Sequence, residues 1–197
     1  MSAEHLILCG GARCSTRQLN WLRPDPQLAL STDPRLGNIN LRIADVTEAM
    51  FANLPDEAVD LLELATYVYC ADQATMRGGR KEFEYGQKWR RHFRFEVPVR
   101  RPEVWSRPEV LTALQQTLGF LSDDDYEFHF SRQDRPPPRE RYLEFDAGTP
   151  STSGIEDVLL FSGGLDSFAG AVHEIHTHGR RVALVSHRSV SKIDSRQ

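Results

Sequence analysis

The chain has 197 residues, 40% of them hydrophobic and 26% charged, with a net charge of −4 at pH 7. That apolar content suffices for one good core or two small ones and argues against overall disorder. The acidic balance excludes a globally basic nucleic-acid binder. No apolar run approaches the roughly 20 residues that span a bilayer, so the expectation is a soluble, cytoplasmic protein without a membrane partner. Three cysteines, Cys9, Cys14 and Cys70, are an odd number without framework spacing. They fit a reducing compartment better than a disulfide scaffold, and no Cys or His pair stands near Cys9 and Cys14 to complete a metal site.

In chain order, residues 5–9 and 38–43 read as strands, the second from the alternation of Ile39, Leu41 and Ile43 with polar neighbours. Pro24, Pro26, Pro34 and Gly37 mark loops between them. Asp45 and Glu48 have the spacing of a capping box for a short helix. A longer helix follows Pro55, with Ala58, Leu61, Leu62, Ala65, Val68 and Tyr69 as its predicted apolar face, ending before Gly78 and Gly79. Phe93, Phe95, Val97 and Val99 then alternate with His92, Arg94, Glu96 and Pro98, which predicts a half-buried strand, placed at a sheet edge by its proline. Ser106, Pro108 and Glu109 open the next helix, Val110, Leu111, Leu114 and Leu118 form its apolar face, and Gly119 is its predicted stop. Tyr126, Phe128 and Phe130 alternate in a further strand. Strands and helices mixed without regular β-α-β order predict an N-terminal α+β domain over residues 1–147.

Pro136, Pro137 and Pro138 break regular structure, a strand-like Tyr142-Leu143-Glu144-Phe145 follows, and residues 148–156 are a small-residue linker. Residues 157–197 read as one β-α-β unit. Val158-Leu159-Leu160-Phe161 has the length and flanks of a buried parallel strand, and Val182-Ala183-Leu184-Val185 of a second. Phe168, Ala171, Val172 and Ile175 recur at helical spacing between them. The fold class expected is therefore α/β, a doubly wound parallel domain present only in its first unit. Such a sheet usually needs about five strands and well over roughly 100 residues. On that expectation the nucleotide domain is truncated here, and another chain or further sequence completes it.

The turn between that strand and helix, Ser162-Gly163-Gly164-Leu165-Asp166-Ser167, carries the chemistry. Paired glycines let backbone approach a ligand and adopt positive φ, and the N–H groups of the helix N-terminus then face an anion. Ser162 and Ser167 add hydroxyls. The Asp166 carboxylate would repel bound phosphates unless it caps the helix or a cation intervenes, a condition an Mg²⁺-bridged triphosphate meets. No Walker-type Gly-x-x-x-x-Gly-Lys-Ser/Thr occurs, and a nucleophile elbow centred on Ser167 would need glycines where Leu165 and Ala169 stand.

Residues 161–171 resemble the pyrophosphatase loop (PP-loop) of the adenine nucleotide alpha-hydrolase-like enzymes, and within them most resemble the 7-cyano-7-deazaguanine synthase-like proteins of queuosine biosynthesis. The resemblance implies an AMP-forming ligase: a substrate carboxylate attacks the α-phosphorus of ATP, pyrophosphate leaves, and ammonia or an amine then displaces AMP. It implies ATP and Mg²⁺ as cofactors and Asp166 and Ser167 as catalytic residues. Phe161, Ser162, Gly163, Gly164, Leu165, Asp166, Ser167, Val185, Ser186 and His187 would contact the nucleotide. The deazaguanine enzymes also carry a late cysteine zinc site; no cysteine follows Phe161, so zinc would belong to a part beyond this sequence. Residues 60–130 are diffusely similar to the leader domains of relatives in bacterial antiviral defence operons, which implies a macromolecular substrate. An asparagine-synthetase relative would show Cys after Met1, where Ser2 stands.

Two other stretches compete for function. Residues 77–101, from Arg77 to Arg101, hold nine Lys or Arg against three acids, interleaved with Phe83, Tyr85, Trp89, Phe93 and Phe95. The alternative to an enzyme is a non-catalytic module that binds RNA or protein through this stripe, beside a degenerate or incomplete nucleotide domain. His173, Glu174, His176 and His178 lack the His-Glu-x-x-His spacing of a zinc helix and read as surface residues at a helix C-terminus, so no metal ligand set is predicted. His187 and Arg188 follow the second strand at the sheet's carboxyl edge, where ligands bind in such folds.

Overall fold

The computed structural model describes residues 3–13, 27–33, 37–50, 53–77, 89–134, 136 and 154–186. The chain divides into two compact units, Met1–Val46 with Asn53–Arg141, and Thr47–Ala52 with Tyr142–Gln197.

Strands β1 (Ala3–Cys9) and β2 (Gln27–Leu30) are followed by helices α1 (Ile43–Met50) and α2 (Asp56–Ala74), strand β3 (Arg91–Val99), helices α3 (Pro102–Trp105) and α4 (Pro108–Ser122), and strand β4 (Asp125–Arg132). The four strands form one sheet of order β2-β1-β3-β4, and every pair is parallel. The first unit is thus α/β, and the expected α+β arrangement is corrected. β3 lies in the sheet interior despite Pro98. Val99 O accepts from Gln133 N–H on the β4 side, so by alternation the Pro98 nitrogen faces β1, past the last pair of that ladder, Leu8 with Glu96. The missing donor costs nothing there. Gly10 fits the same place: it has φ +54°, and a Cβ on it would stand 2.9 Å from Pro98 Cγ. Gly10→Ala is expected to destabilise the first unit by about 1–3 kcal/mol, read from the urea midpoint.

One face of the sheet is aromatic. Phe93 pairs with Tyr126 and Phe95 with Phe128, ring centroids 5.5 and 5.2 Å apart, and Ile7 and Cys9 join them in the core. Leu64, Tyr67 and Ala71 of α2 belong to the same cluster, and the partly buried Val110, Leu111, Leu114 and Leu118 of α4 pack against it. The opposite positions of β3 and β4 carry charge: Arg94 bonds Glu127 at 2.7 Å, and Glu96 lies 3.3 Å from His129.

Several elements depart from the sequence reading. Residues 38–43 form no strand; Ile43 begins α1, which puts Asp45 in its first turn rather than at its cap. The strand beside β1 is β2, and Ile39 packs against the core from outside the sheet. α4 runs through Gly119 and ends at Asp123, in the left-handed region at φ 59°. A Cβ on Gly119 would stand 3.3 Å from Asp124 O, so that glycine serves the close return of the chain.

The face that α2 buries is also rotated. Leu61 and Tyr69 are exposed, whereas Val59, Asp60, Glu63, Leu64, Tyr67 and Ala71 are buried. Two carboxylates point inward because Arg100 is there to meet them. Its Nη1 donates to Asp60 Oδ1 at 2.9 Å and to Glu63 Oε2 at 2.7 Å. Asp60 also accepts from the backbone N–H groups of Arg100 and Arg101 and from Trp105 Nε1, each at 3.1 Å. At the other end of β3, buried Arg91 binds Asp124 and Asp72, and its Nη1 donates to Thr75 O at 2.8 Å.

His5 is buried, stacks on Phe93 at 5.3 Å, and neither ring nitrogen has a hydrogen-bond partner among the described residues. Burial, reinforced by Arg91 and opposed by Asp124, lowers its pKa. The unfolded chain then binds a proton the native state refuses, so stability is full above about pH 6.5 and declines as pH falls below it. One proton limits the slope to about 1.4 kcal/mol per pH unit. His5→Phe is expected to flatten the pH 5–7.5 dependence of the urea midpoint.

The second unit contains β5 (Asp157–Leu160), α5 (Leu165–Thr177) and β6 (Val182–Val185), the β-α-β unit expected. β5 and β6 are parallel, with Asp157 opposite Val182 and Leu160 opposite Val185. Ala171 is its buried helix residue, while Val158 and Leu160 remain 66% and 84% exposed and Phe168 57%. Parallel sheets are ordinarily covered on both faces, and among the described residues β5, β6 and α5 leave these apolar side chains exposed.

Candidate functional site: the loop between β5 and α5

β5 gives way to the loop at the carboxyl edge of the two-stranded sheet. Phe161 N–H donates to Val185 O at 2.8 Å, and Ser186 Oγ donates to Phe161 O at 2.7 Å. These bonds bring Phe161, Val185 and Ser186 together. The chain then turns at Gly163, whose φ of +76° favours glycine, and enters α5 from Gly164, an extended N-cap without a side-chain cap. Phe168 N–H makes the first helical bond, to Gly164 O at 3.0 Å. The N–H groups of Leu165, Asp166 and Ser167 are thus among those a helix start leaves without an intrahelical acceptor.

The hydroxyls frame this opening. Ser162 Oγ lies 3.2 Å from Ser167 Oγ and accepts a long bond from Gly164 N–H at 3.4 Å, while Ser167 Oγ donates to Gly164 O at 2.9 Å. Ser162, Gly163, Gly164, Leu165 and Asp166 are exposed and Ser167 is half-buried. The Asp166 carboxylate has no hydrogen bond or ion pair among the described residues of its unit. It stands free in the first turn, where the helix dipole favours an anion. Backbone donors, two hydroxyls and one uncommitted carboxylate are what a phosphate–Mg²⁺ pair requires. His187 and Arg188 lie outside the described residues.

The basic stripe looks different in three dimensions. Phe93 and Phe95 are core residues. Each described arginine of the stripe meets a carboxylate: Arg77 meets Asp124 at 2.8 Å, Arg90 meets Asp123 at 2.6 Å, and Arg101 meets Glu57 at 3.2 Å. Arg91, Arg94 and Arg100 are paired as described above. Trp89 is half-exposed, with the Arg77 guanidinium 5.3 Å from its ring centroid. Arg80, Lys81, Phe83, Tyr85 and Lys88 lie outside the described residues. Cys9 is fully buried, and burial together with Glu96 pushes its thiol pKa up, against any ligand role; Cys14 also lies outside the described residues.

The first unit holds a second concavity, not expected from the sequence: a cleft of about 540 Å³ lined by Gly10, Gly11, Ala12, Pro98 and residues 131–134. It sits at the carboxyl ends of β1, β3 and β4, and the signal for it was Gly10-Gly11 directly after an apolar strand. Gly10 N–H and Ala12 N–H are already committed to Leu30 O and Cys9 O, both at 2.8 Å, which leaves fewer donors there than at the β5–α5 loop.

Compared with protein-family models, curated proteins and solved structures, the chain matches none. What the fold defines is an α/β protein with a four-stranded parallel sheet and a separate two-stranded parallel one. No helix among the described residues is long and apolar enough to cross a membrane.

Proposed function

We propose that the β5–α5 loop binds Mg²⁺·ATP and that the protein is an AMP-forming, PP-loop-type ligase similar to the 7-cyano-7-deazaguanine synthases, acting in a bacterial antiviral setting. The observation that carries this reading is the uncapped start of α5, entered through Gly163 at positive φ and flanked by Ser162, Ser167 and the unpartnered Asp166. The helix N–H groups and hydroxyls would hold the phosphates. Asp166 fits Mg²⁺, whose charge would offset that gathering on the departing pyrophosphate. Backbone at Phe161 and Val185 would flank the adenine, and Ser186 fixes the spacing between them through its bond to Phe161 O.

The test is equilibrium binding of ATP with and without Mg²⁺, alongside pyrophosphate release with small carboxylates and with macromolecular acceptors. Mg²⁺-dependent binding with release of pyrophosphate supports the ligase, whether in this chain alone or with a partner that completes the sheet. ATP indifferent to Mg²⁺ and to the loop's residues rejects it. The alternative, a non-catalytic module working through residues 77–101, has less to draw on, because the described arginines there already face carboxylates.

A further inference from the structure

At the far end of α5, the structure assembles three ligating side chains that are not regularly spaced in sequence. His173 and Glu174 lie in the last turns of the helix, His178 is its C-cap, and Gly179 at φ +64° turns the chain away. The cap brings the His178 ring edge-on to His173, centroids 4.9 Å apart. One donor atom from each of His173, Glu174 and His178 lies within 4.8 Å of the others. Ligands of a tetrahedral ion at about 2.1 Å stand about 3.4 Å apart, so small rotations of exposed side chains close the set.

Three further features favour a cation. Glu174 Oε2 is buried without a hydrogen-bond partner among the described residues; Arg180 Nη1 is 3.4 Å away, but its closer bond is to Asp157 Oδ2 at 2.8 Å. Thr177 Oγ1 lies 3.2 Å from His173 Nδ1, so a hydroxyl accepting from Nδ1–H would orient the ring and leave Nε2 free to ligate. The carbonyl end of a helix dipole also attracts positive charge. His176, on the same helix, is outside the cluster.

We propose that His173, Glu174 and His178 form a binding site for a borderline divalent ion of the Zn²⁺, Co²⁺, Ni²⁺ type. Two imidazoles and one carboxylate suit such ions better than Mg²⁺ or Ca²⁺. The site shares no residue with the β5–α5 loop: along the helix axis His173 is about 9 Å and His178 about 16 Å beyond Ser167. A bound ion would pin the cap of α5 to its last turns, ahead of β6.

The test titrates the whole untagged chain with Zn²⁺ by calorimetry and with Co²⁺ by visible absorbance. One equivalent is expected to bind through nitrogen and oxygen, without the thiolate charge-transfer band. His173→Ala and His178→Ala should each weaken binding at least about tenfold, and Thr177→Val about tenfold through loss of ring orientation. His176→Ala should leave it unchanged. The proposal is overturned by no stoichiometric binding, by His176→Ala weakening the ion as much as His173→Ala, or by binding that survives both cluster variants and vanishes when thiols are alkylated.

Discussion

Asp60→Ala is expected to cost the first unit about 3–5 kcal/mol, a large share of the roughly 5–15 kcal/mol by which a domain is usually stable. The carboxylate has no exposed surface and satisfies three kinds of donor at once: the Arg100 guanidinium, the N–H groups of Arg100 and Arg101, and the Trp105 indole. Alanine removes the acceptor, so that the two backbone N–H groups and the indole lose their partner while Arg100 keeps only Glu63. A simple buried ion pair can often be exchanged for two apolar residues at little cost. Here the triple variant Asp60→Leu, Glu63→Leu and Arg100→Met, which removes the arginine with both its carboxylates, should stay destabilised by about 2 kcal/mol or more, because two backbone N–H groups and an indole N–H remain orphaned. Chemical unfolding followed by far-UV circular dichroism reads both. A triple variant as stable as the parent would show that Asp60 serves only its arginine.

Asp166→Ala is expected to lower Mg²⁺-dependent ATP binding and any pyrophosphate release by about 10²–10³-fold while the fold is kept. Retention of fold follows from geometry, since the side chain is exposed and unpartnered in its unit. Asp166→Asn separates two roles. If the residue only complements the α5 dipole, asparagine changes stability by a few tenths of a kcal/mol and leaves ATP alone. If it holds Mg²⁺, asparagine falls nearly as far as alanine, and the loss appears only when Mg²⁺ is present. Unchanged Mg²⁺·ATP binding in both variants would remove Asp166 from the site.

The β5–α5–β6 unit was legible because its signals are local: four apolar residues, paired glycines, then a 3.6-residue period. β1, α2, β3, α4 and β4 were legible from hydrophobic period in the same way. Pairing was not, because parallel partners are chosen by tertiary packing, and Pro98 suggested an edge only while the end of β1 was unseen. β2, with the sequence Gln-Leu-Ala-Leu, is too short to show a period. Ile39, Leu41 and Ile43 alternate as a strand would, yet Ile39 serves the core and Ile43 starts a helix. The inward face of α2 misled for a physical reason: Asp60 and Glu63 count as surface until Arg100, some 40 positions on, is known to be beside them. The loop residues of the candidate site were named from sequence, but the His173–Glu174–His178 grouping depends on a cap that curls back, which linear spacing does not reveal.

The register of β1 against β3, with Ala3 opposite Arg91, sets a timetable for synthesis. At roughly 5–20 residues per second, the first strand emerges some 4–18 s before its central neighbour has been made. Through that interval Leu6, Ile7 and Leu8 have no place in a finished sheet, so the nascent chain would depend on holding factors. Fast, cold-shocked or chaperone-poor expression should change the yield of folded protein more than its final stability.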